Sequence, residues 1–356
     1  MGVVGGDGDR VFQAPKHGLG KSVQNRRSLH SYPRGSIRDF DPNTLSFTSN
    51  TARCRTCRVL SSSVRLGSRT FLRHFLFRSS SRCAFLINLP YNSNTKLKTV
   101  LDRVNSDEYL QSLWDCINVN AVRRLGLSDH GRVHFAIVSN IALKILRSLV
   151  EAKVQPNIVT EHSMTNEDAE VVVFLGAVLH DLGMVAHRDN HEVFSVSLAA
   201  QMIPDLVRGV YGDKERAVIT AETLHAIYAH ESEIPQFTLE AGVVRVADAL
   251  DMKEGRARIP FTAGKKDIHA LSAMSIHDVK IRKGKLKPII VEISMYNESG
   301  IFQVDQLLKK KIAGTKIEGF IEVVAQVENQ QRKTVLSRYT LGASPEQPSV
   351  QASAQR

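Results

Sequence analysis

Three short motifs place histidine and aspartate inside helical patterns that are otherwise apolar. The sharpest is Val178-Leu179-His180-Asp181-Leu182-Gly183, where His180 and Asp181 interrupt a nearly uniform apolar run. An ionised carboxylate that is buried without a partner costs several kcal/mol or more. Asp181 therefore needs a cation, and the adjacent imidazole indicates a metal ion. Because neighbouring helical residues point about 100° apart, both side chains can reach one ion that lies between the two directions.

Two further motifs have the same character. Asp248 interrupts the apolar helical pattern of segment 243–251, and Asp251 follows one turn later, where it could support a ligand. His134 ends the motif Asp129-His130-Gly131-Arg132-Val133-His134 and starts a strongly amphipathic pattern. Taken singly, each motif has an ordinary explanation, because core histidines are commonly hydrogen-bonded and buried aspartates are commonly capped or ion-paired. The hypothesis of a metal site rests on the combination of the three motifs and on their order along the chain.

The order His134, His180-Asp181, Asp248 resembles the HD-domain superfamily of metal-dependent phosphohydrolases. Val246-Ala247-Asp248-Ala249-Leu250 is similar to the final motif of that family. Further stretches resemble a prokaryotic-type branch of uncharacterised HD phosphohydrolases that carries a C-terminal α+β unit. These stretches are 120–126, 187–191, 224–227, 255–261 and 300–305. The resemblance covers residues 96–330 and leaves out the N-terminal segment.

The resemblance implies that His134, His180, Asp181 and Asp248 hold one divalent ion and that Asp181 and His180 are the catalytic residues. Mixed imidazole and carboxylate ligation suits Mn, Fe, Co, Ni or Zn, and Mg less well. Such an ion activates water near neutral pH and polarises a phosphoryl oxygen. The expected target is a phosphomonoester or a phosphodiester.

Some branches of the resembled family hold two ions, with extra histidine ligands between the His-Asp pair and the last aspartate. His191 starts the helical pattern after the pair, and His230 ends the next pattern, just before Glu231. His191 and His230 are therefore candidate ligands of a second ion, with a polar wall position as the alternative. His187 and His225 fit wall positions better.

Basic residues near these motifs are candidates for binding the substrate phosphate. Lys253, Arg256 and Arg258 follow Asp248 closely, and Arg188 follows the His-Asp pair. Arginine can hold phosphate oxygens in a bidentate fork. The alternative is a solvated loop, or packing against the C-terminal unit. The run Lys309-Lys310-Lys311 is expected to be a solvated helix face.

Three functions remain open on this basis. The first is hydrolysis of a phosphate ester in a nucleotide or another small metabolite. The second is hydrolysis of an alarmone similar to guanosine tetraphosphate. The third is a non-catalytic nucleotide-sensing module on the same fold, although all four ligand positions of the family are filled here. The expected partner is a small phosphorylated substrate, and self-association into a homo-oligomer is left open.

The sequence patterns around these residues predict a mainly α fold. It is expected to be an HD-type helical bundle followed by a small α+β subdomain. The bundle spans 96–262, with helical periodicity over 99–118, 134–152, 166–182, 191–211, 214–230 and 238–252. The subdomain spans 270–340, with strands at 279–282, 288–295, 321–327 and 334–339 and a helix over 301–313. The Ser/Pro/Gln-rich tail, 343–356, is predicted to be disordered.

Composition excludes several other classes of protein. With 42% hydrophobic residues in 356, the chain can bury a sizeable core. Four cysteines exclude a disulfide scaffold, and no apolar run reaches the roughly 18 residues of a membrane-spanning helix. Residues 1–90 hold 15 of the 47 Lys and Arg and 4 of the 36 Asp and Glu, which accounts for the whole net charge of +11. The electroneutral remainder argues against a nucleic-acid-binding domain.

The N-terminal segment, 1–93, is Arg- and Ser-rich and poor in acidic residues. That composition is typical of an organelle transit peptide and predicts import into a chloroplast or mitochondrion. One alternative is a disordered leader without a targeting signal, which leaves the protein cytoplasmic. The other is a basic nucleic-acid-binding arm. In each case the segment is expected to lie outside the catalytic domain.

Overall fold

A computed structural model describes residues 86–253, 268–329 and 332–340 of the chain. The predictions for residues 1–85 of the leader, for the loop with Arg256 and Arg258, and for the C-terminal tail lie outside the described residues. The described part is a helical domain followed by a small α+β unit, which confirms the predicted fold class.

The helical domain contains eight α-helices within the described residues, and the α+β unit begins with a ninth. They are α1 (Thr95–Ser106), α2 (Glu108–Asn118), α3 (Arg132–Glu151), α4 (Asn157–His162), α5 (Asn166–Leu179), α6 (His191–Leu206), α7 (Asp213–Tyr228), α8 (Leu239–Ala249) and α9 (Ile268–Met274). A π-helical turn, Val119–Arg124, extends α2, and a 3₁₀ turn, Leu182–Val185, follows α5.

Helix α5 forms the centre of the core. Its start is fixed by a capping box, in which the Thr165 side chain accepts from the Asp168 amide and the Asp168 side chain accepts from the Thr165 amide. Every residue from Val171 to Leu179 is buried, as expected for a helix that is apolar on all sides. The Trp114 indole on α2 donates to the carbonyl of Val178 at 3.2 Å and so ties α2 to the end of α5.

Helix α3 is long and apolar enough to cross a membrane by length and composition alone, so the sequence-based exclusion of a spanning helix does not hold for those two criteria. Half of its apolar window is buried inside the fold. Phe135, Val138 and Leu146 are fully buried, which identifies α3 as a core helix. The side of α3 that carries Ile137 is partly solvent-exposed, because that side chain is 38% exposed.

Two predicted helices end earlier than their apolar pattern suggests. The pattern over 99–118 is divided at Asp107, whose side chain accepts from the amide of Leu110 and starts α2. The pattern over 166–182 ends at Leu179, and Asp181 has φ −99° and ψ 7°, outside the helix. The expectation that His180 and Asp181 project from one continuous helix was therefore wrong. Both breaks arise from local hydrogen bonding and packing that hydrophobic periodicity does not report.

The C-terminal unit contains a four-stranded sheet in the order β1-β2-β3-β4. The strands are β1 (Ile276–Lys283), β2 (Ile289–Met295), β3 (Ile321–Asn329) and β4 (Arg332–Thr340). Strands β1 and β2 form an antiparallel hairpin, with Ile281 opposite Val291. Strand β3 pairs parallel to β2, with Val291 opposite Val323, and β4 pairs antiparallel to β3.

A parallel pair requires a crossover, and here the crossover carries one helix, α10. It consists of three contiguous segments, Ile301–Gln303, the π-helical Val304–Leu308, and Lys309–Ile312. Val304, Leu308 and Ile312 are fully buried, and both the π-helical segment and the last turn contact α8. The crossover helix thus attaches the α+β unit to the helix that carries Asp248.

Residues just before α1 also belong to the core, although the sequence analysis placed them in the leader. Ile87 and Leu89 are each only 2% exposed. The Ile87 amide donates to Asn105 Oδ1 at 2.8 Å, and Asn105 Nδ2 donates to the Ile87 carbonyl at 2.9 Å. The folded domain therefore begins before residue 93.

Candidate metal centre

The end of α5 places His180 and Asp181 at the centre of the helical domain. His180 is the C-terminal cap of α5, and Asp181 adopts the bridge conformation that is common among active-site residues. The following turn lies against the start of α6, because a Cβ on Gly183 would stand 2.0 Å from the carbonyl oxygen of His191. The Gly183 amide donates to Ser195 Oγ at 2.7 Å. Glycine at 183 therefore allows the Asp181 and His191 segments to meet.

The first group of side chains unites all four predicted ligands of one ion. His134 Nε2 lies 3.3 Å from His180 Nε2, 3.6 Å from Asp181 Oδ2 and 3.5 Å from Asp248 Oδ1. His180 Nε2 lies 3.4 Å from Asp181 Oδ2 and 3.7 Å from Asp248 Oδ1. Both imidazoles are fully buried, while Asp248 is 16% exposed. These distances place the four side chains close enough together to be donors to a single cation.

A second group lies on the other oxygen of Asp181. His191 Nε2 is 3.1 Å and His230 Nε2 is 3.8 Å from Asp181 Oδ1, and the two nitrogens are 3.2 Å apart. Glu231 Oε1 lies 3.6 Å from His191 Nε2 and 3.8 Å from His230 Nε2. Asp181 therefore directs one carboxylate oxygen to each group, so that each group would include one Asp181 oxygen among its donors.

The orientation of the four imidazoles tests whether metal ions fit this cluster. In each ring Nδ1 faces an oxygen acceptor, and Nε2 faces the centre of the cluster. The acceptors are Asp251 Oδ2 for His134 at 2.7 Å, the Ala177 carbonyl for His180 at 3.0 Å, the Arg188 carbonyl for His191 at 3.0 Å, and the Ile227 carbonyl for His230 at 2.6 Å. A neutral ring that donates from Nδ1 presents a lone pair at Nε2.

Facing lone pairs repel unless positive charge lies between them. The Nε2 pairs His134–His180 and His191–His230 are 3.3 and 3.2 Å apart. Histidine ligands of metals typically donate their other ring N–H to a carboxylate or carbonyl in this way. The donor set of imidazoles and carboxylates therefore fits divalent cations, and the candidate ligands include the separate sets His134, His180, Asp248 and His191, His230, Glu231.

The loop that carries His230 and Glu231 is held by a buried arginine on α8. Arg245 is 3% exposed and donates to the Ala229 carbonyl from Nε at 2.8 Å and from Nη2 at 2.6 Å. It also donates to the carbonyl of Ile234. Both ends of the short segment 229–234 are thus fixed to the helix that carries Asp248.

The pKa values of the cluster show that its aspartates are ionised, and these negative charges favour positive charge at the centre. Burial disfavours the ionised form of Asp181, but His180 and His130 outweigh it and hold the pKa of Asp181 well below its usual range. At Asp248, Lys311 and His180 outweigh burial in the same direction, so its pKa is also lowered. Burial lowers the pKa of His180, but Asp181 and Asp248 prevail and raise it to about 9.

His230 behaves in the opposite way. Burial and the nearby charges of His180 and Lys311 lower the pKa of His230 to about 3. This ring is therefore neutral over the physiological range. A neutral imidazole is the form that binds a metal ion.

The predicted phosphate-binding residues have different locations. Arg188 lies at the edge of the cluster, with Nη1 2.9 Å from His191 Nδ1 and 3.8 Å from Glu231 Oε1. Lys253 pairs with Asp278 on β1 at 2.5 Å, and no contact joins it to the cluster within the described residues. Arg256 and Arg258 fall in the segment between 253 and 268 and stay predictions.

The two other histidines that were considered lie outside the cluster. His187 is 64% exposed, and its Nδ1 accepts from the amide of Asp189. His225 accepts from the amide of Phe237 at 3.0 Å and stacks on that ring at 4.9 Å. Neither side chain is among the donors of the two groups, and a wall position for either one stays a prediction.

Three side chains of the cluster were not predicted as site residues. His130 Nδ1 lies 2.7 Å from Asp181 Oδ2, Glu231 belongs to the second group, and Lys311 lies 3.5 Å from Asp248 Oδ2. The segment Asp129-His130-Gly131 before α3 and the pair His230-Glu231 were visible signals of the first two. Lys311 was assigned to a solvated helix face, and this was wrong, because its side chain is 18% exposed and faces α8. Nothing local distinguishes it from Lys309 and Lys310.

Comparison with known proteins agrees with this geometry. The family model described as "HD domain" matches residues 133–253, the segment that contains every imidazole and carboxylate of the two groups. An uncharacterized protein of the archaeon Methanocaldococcus jannaschii is 39% identical over 244 residues, which cover 68% of this chain and 93% of the relative. No solved structure matches the chain.

Proposed function

Because the chain belongs to the HD domain family, we propose that it is a metal-dependent phosphohydrolase that acts on a nucleotide or another small phosphorylated metabolite. One observation carries this proposal above the others. Four imidazoles turn Nε2 toward the carboxylates of Asp181, Asp248 or Glu231, while an oxygen acceptor faces each Nδ1. This set of donors is suited to bind cations, and a protein core has no other evident need for it.

The proposal assigns the donors to two ions. His134, His180, Asp248 and Asp181 through Oδ2 hold the first, at the distances given above. The second is held by the ligands His191, His230 and Glu231, together with Asp181 through Oδ1. Mixed imidazole and carboxylate ligation favours Mn, Fe, Co, Ni or Zn over Mg.

The bound cations supply Lewis acidity, which makes water nucleophilic near neutral pH and polarises the phosphoryl oxygen. The chain supplies orientation and charge. Asp181 fixes the position of the attacking water through its carboxylate, and His130 holds that carboxylate through Nδ1 at 2.7 Å from Oδ2. Asp251 holds the His134 ring. His180 lies beside Asp181, and in this proposal both side chains would bind the same cation at the reacting centre.

Arginine and lysine at the edge of the cluster bind the substrate in this proposal. Arg188 lies against His191 and Glu231 and is 42% exposed, so its guanidinium can receive a phosphate that arrives from solvent. Arg256 and Arg258 remain candidates for the same task. Lys253 is less well placed, because its ammonium already pairs with Asp278.

Turnover on a panel of phosphate esters tests the proposal. Full-length protein that carries its metal ions is assayed with phosphomonoesters, phosphodiesters, nucleoside phosphates and guanosine tetraphosphate. We expect hydrolysis of at least one ester class, its loss in Asp181→Ala, and its retention in Asp213→Ala, a control at a carboxylate that is 93% exposed. Protein that binds metal but hydrolyses none of them would contradict the proposal and favour a nucleotide-sensing module.

A further inference from the structure

The three consecutive lysines at the end of α10 have three different environments. Lys309 pairs with Asp305 at 3.0 Å on its own helix, and Lys310 is exposed. Lys311 points toward the helical domain and is 18% exposed. One residue of the α+β unit thus faces the metal centre, which lies in the other part of the fold.

The Lys311 ammonium belongs to the α+β unit but contacts residues of the metal centre in the helical domain. Its Nζ donates to the His230 carbonyl at 2.9 Å and lies 3.5 Å from both Asp248 Oδ2 and Glu231 Oε2. Asp248 belongs to the first group of donors and Glu231 to the second. Lys311 therefore stands where the two groups adjoin.

Packing of α10 fixes this position. Leu308 and Ile312, on either side of Lys311, are fully buried, and the last turn of α10 contacts α8. Beyond that turn, a Cβ on Gly242 of α8 would stand 3.5 Å from side-chain atoms of both Thr315 and Ile317. The backbone that carries Lys311 is thus attached to α8 on both sides of the lysine.

Lys311 lies on the open side of the cluster. The four imidazoles are at most 3% exposed, whereas Asp248 is 16% and Glu231 is 27% exposed. Asp248 and Glu231 are thus the most exposed donors of the two groups, so a ligand can reach the cluster past them. Lys311 and Arg188 flank Glu231 on this side, at 3.5 and 3.8 Å from its two oxygens.

The contacts of Lys311 leave capacity for an anion. An ammonium has three donors, and the His230 carbonyl takes one of them. The two carboxylate contacts of 3.5 Å exceed the 2.7–2.9 Å of a charge-assisted hydrogen bond. Cations bound between the carboxylates would share their negative charge, and the remaining donors of Lys311 could then face a phosphate oxygen.

We propose that Lys311 binds the phosphate of the substrate, so that the C-terminal α+β unit completes the active site. This inference rests on the proposed function, because it presupposes a phosphate-bearing ligand at the metal centre. The alternative role for Lys311 is that of a structural counter-ion which holds Glu231 and Asp248 in place. The two roles differ in what is lost when the charge is removed.

Binding of inorganic phosphate to the metal-loaded, full-length protein tests the inference. Calorimetric affinity, metal content and thermal unfolding are measured for wild type, Lys311→Met, Lys311→Gln, Lys311→Arg and the matched control Lys310→Met. Loss of one charge-assisted hydrogen bond predicts about tenfold weaker phosphate binding in Lys311→Met, at unchanged metal content. Lys311→Arg should recover most of the affinity, and Lys310→Met should equal wild type. With a turned-over ester, KM should rise more than kcat falls.

Other results would overturn the inference. Equal phosphate affinity in Lys311→Met and wild type would show that Lys311 does not bind the anion. Loss of metal or of the fold in both Lys311→Met and Lys311→Gln would assign it the structural role. Wild-type protein that holds metal but binds no phosphate and hydrolyses no ester would remove the proposed function together with this inference.

Discussion

The carboxylate of Asp251 accepts a 2.7 Å hydrogen bond from Nδ1 of His134 and turns Nε2 of that ring toward Asp181 and Asp248. Both partners are buried, with side chains 0% and 3% exposed. Asp251 does not face the centre of the cluster itself. In the proposed metal centre, Asp251 sets the orientation and the basicity of His134, as the outer partners of metal-bound histidines do.

Asp251→Asn should weaken metal binding without removing a ligand. The amide can still accept from Nδ1, but it lacks the negative charge that raises the basicity of the ring. We expect the metal affinity to fall by about 10- to 100-fold, as measured by chelator competition. Asp102→Asn, at a carboxylate 60% exposed on α1, is the control. Equal affinity in Asp251→Asn and wild type would exclude this role for Asp251.

Arg245→Met should disturb the segment that carries His230 and Glu231. The change removes the Arg245 donors to the carbonyls of Ala229 and Ile234. Ala229 keeps only the 3.2 Å bond from Gln236 Nε2, and a buried carbonyl that loses its donor is unfavourable. We expect a loss of about 3 kcal/mol in the free energy of unfolding and lower occupancy of the second ion.

The control for Arg245 is Arg208→Met, at a side chain 73% exposed, which should change stability by less than about 0.5 kcal/mol. Chemical denaturation and metal analysis measure the two effects. If Arg245→Met kept both wild-type stability and full metal content, the segment would not depend on Arg245.

Asp168 should make stability depend on pH. Burial raises the pKa of this carboxyl, but Lys96 and Thr165 outweigh burial and lower the pKa below its ordinary value. The carboxylate therefore stabilises the fold fully above the unfolded pKa of about 3.9, and this contribution is lost as the pH falls toward the folded pKa.

Asp168→Asn tests that dependence directly. At pH 7 we expect the variant to be about 1–3 kcal/mol less stable, since it loses part of the capping box and the ion pair with Lys96. The difference should shrink below about pH 4. Denaturant titrations at several pH values measure it, and a difference that stays constant down to pH 3 would contradict the assigned cause.

The start of the folded domain can be tested by truncation. A chain that begins at Leu86 should bind metal as the full chain does. A chain that begins at Asn94 loses the buried side chains of Ile87 and Leu89, which predicts a loss of about 3 kcal/mol or more. Equal stability of the two truncated chains would show that these residues contribute little.

The proposal that the leader directs import into an organelle is separate from the truncation test. Its Arg- and Ser-rich, acid-poor composition favours import into a chloroplast or mitochondrion. A fluorescent protein fused to residues 1–90 should enter one of these organelles in a plant cell. Diffuse cytosolic fluorescence would contradict the transit peptide and leave the truncation result unaffected.

Much of the fold could be predicted because hydrophobic periodicity is a local property. The run from Val171 to Leu179 is apolar on all sides, and the structure buries it at the centre of the core. The candidate ligands could be identified for a related reason, since His180, Asp181 and Asp248 interrupt such runs at an energetic cost that needs an explanation.

What could not be predicted depends on tertiary packing. Asp107 divides one apolar pattern into two helices through a side-chain cap, and the pattern itself continues across it. Lys309, Lys310 and Lys311 are locally equivalent, and only the attachment of α10 to α8 directs Lys311 to Asp248 and Glu231. His130 meets Asp181 across 51 positions of sequence, a distance that no local pattern reports.

Metal stoichiometry tests the central claim most directly, because that claim is that Asp181 joins two groups of donors around two ions. Mass spectrometry of the purified full-length protein should find about two transition-metal ions per chain, about one in His230→Ala, and none in Asp181→Ala. His180→Ala should likewise lose metal and hydrolysis together. Full metal occupancy in Asp181→Ala, or hydrolysis of phosphate esters by protein freed of metal, would contradict the account.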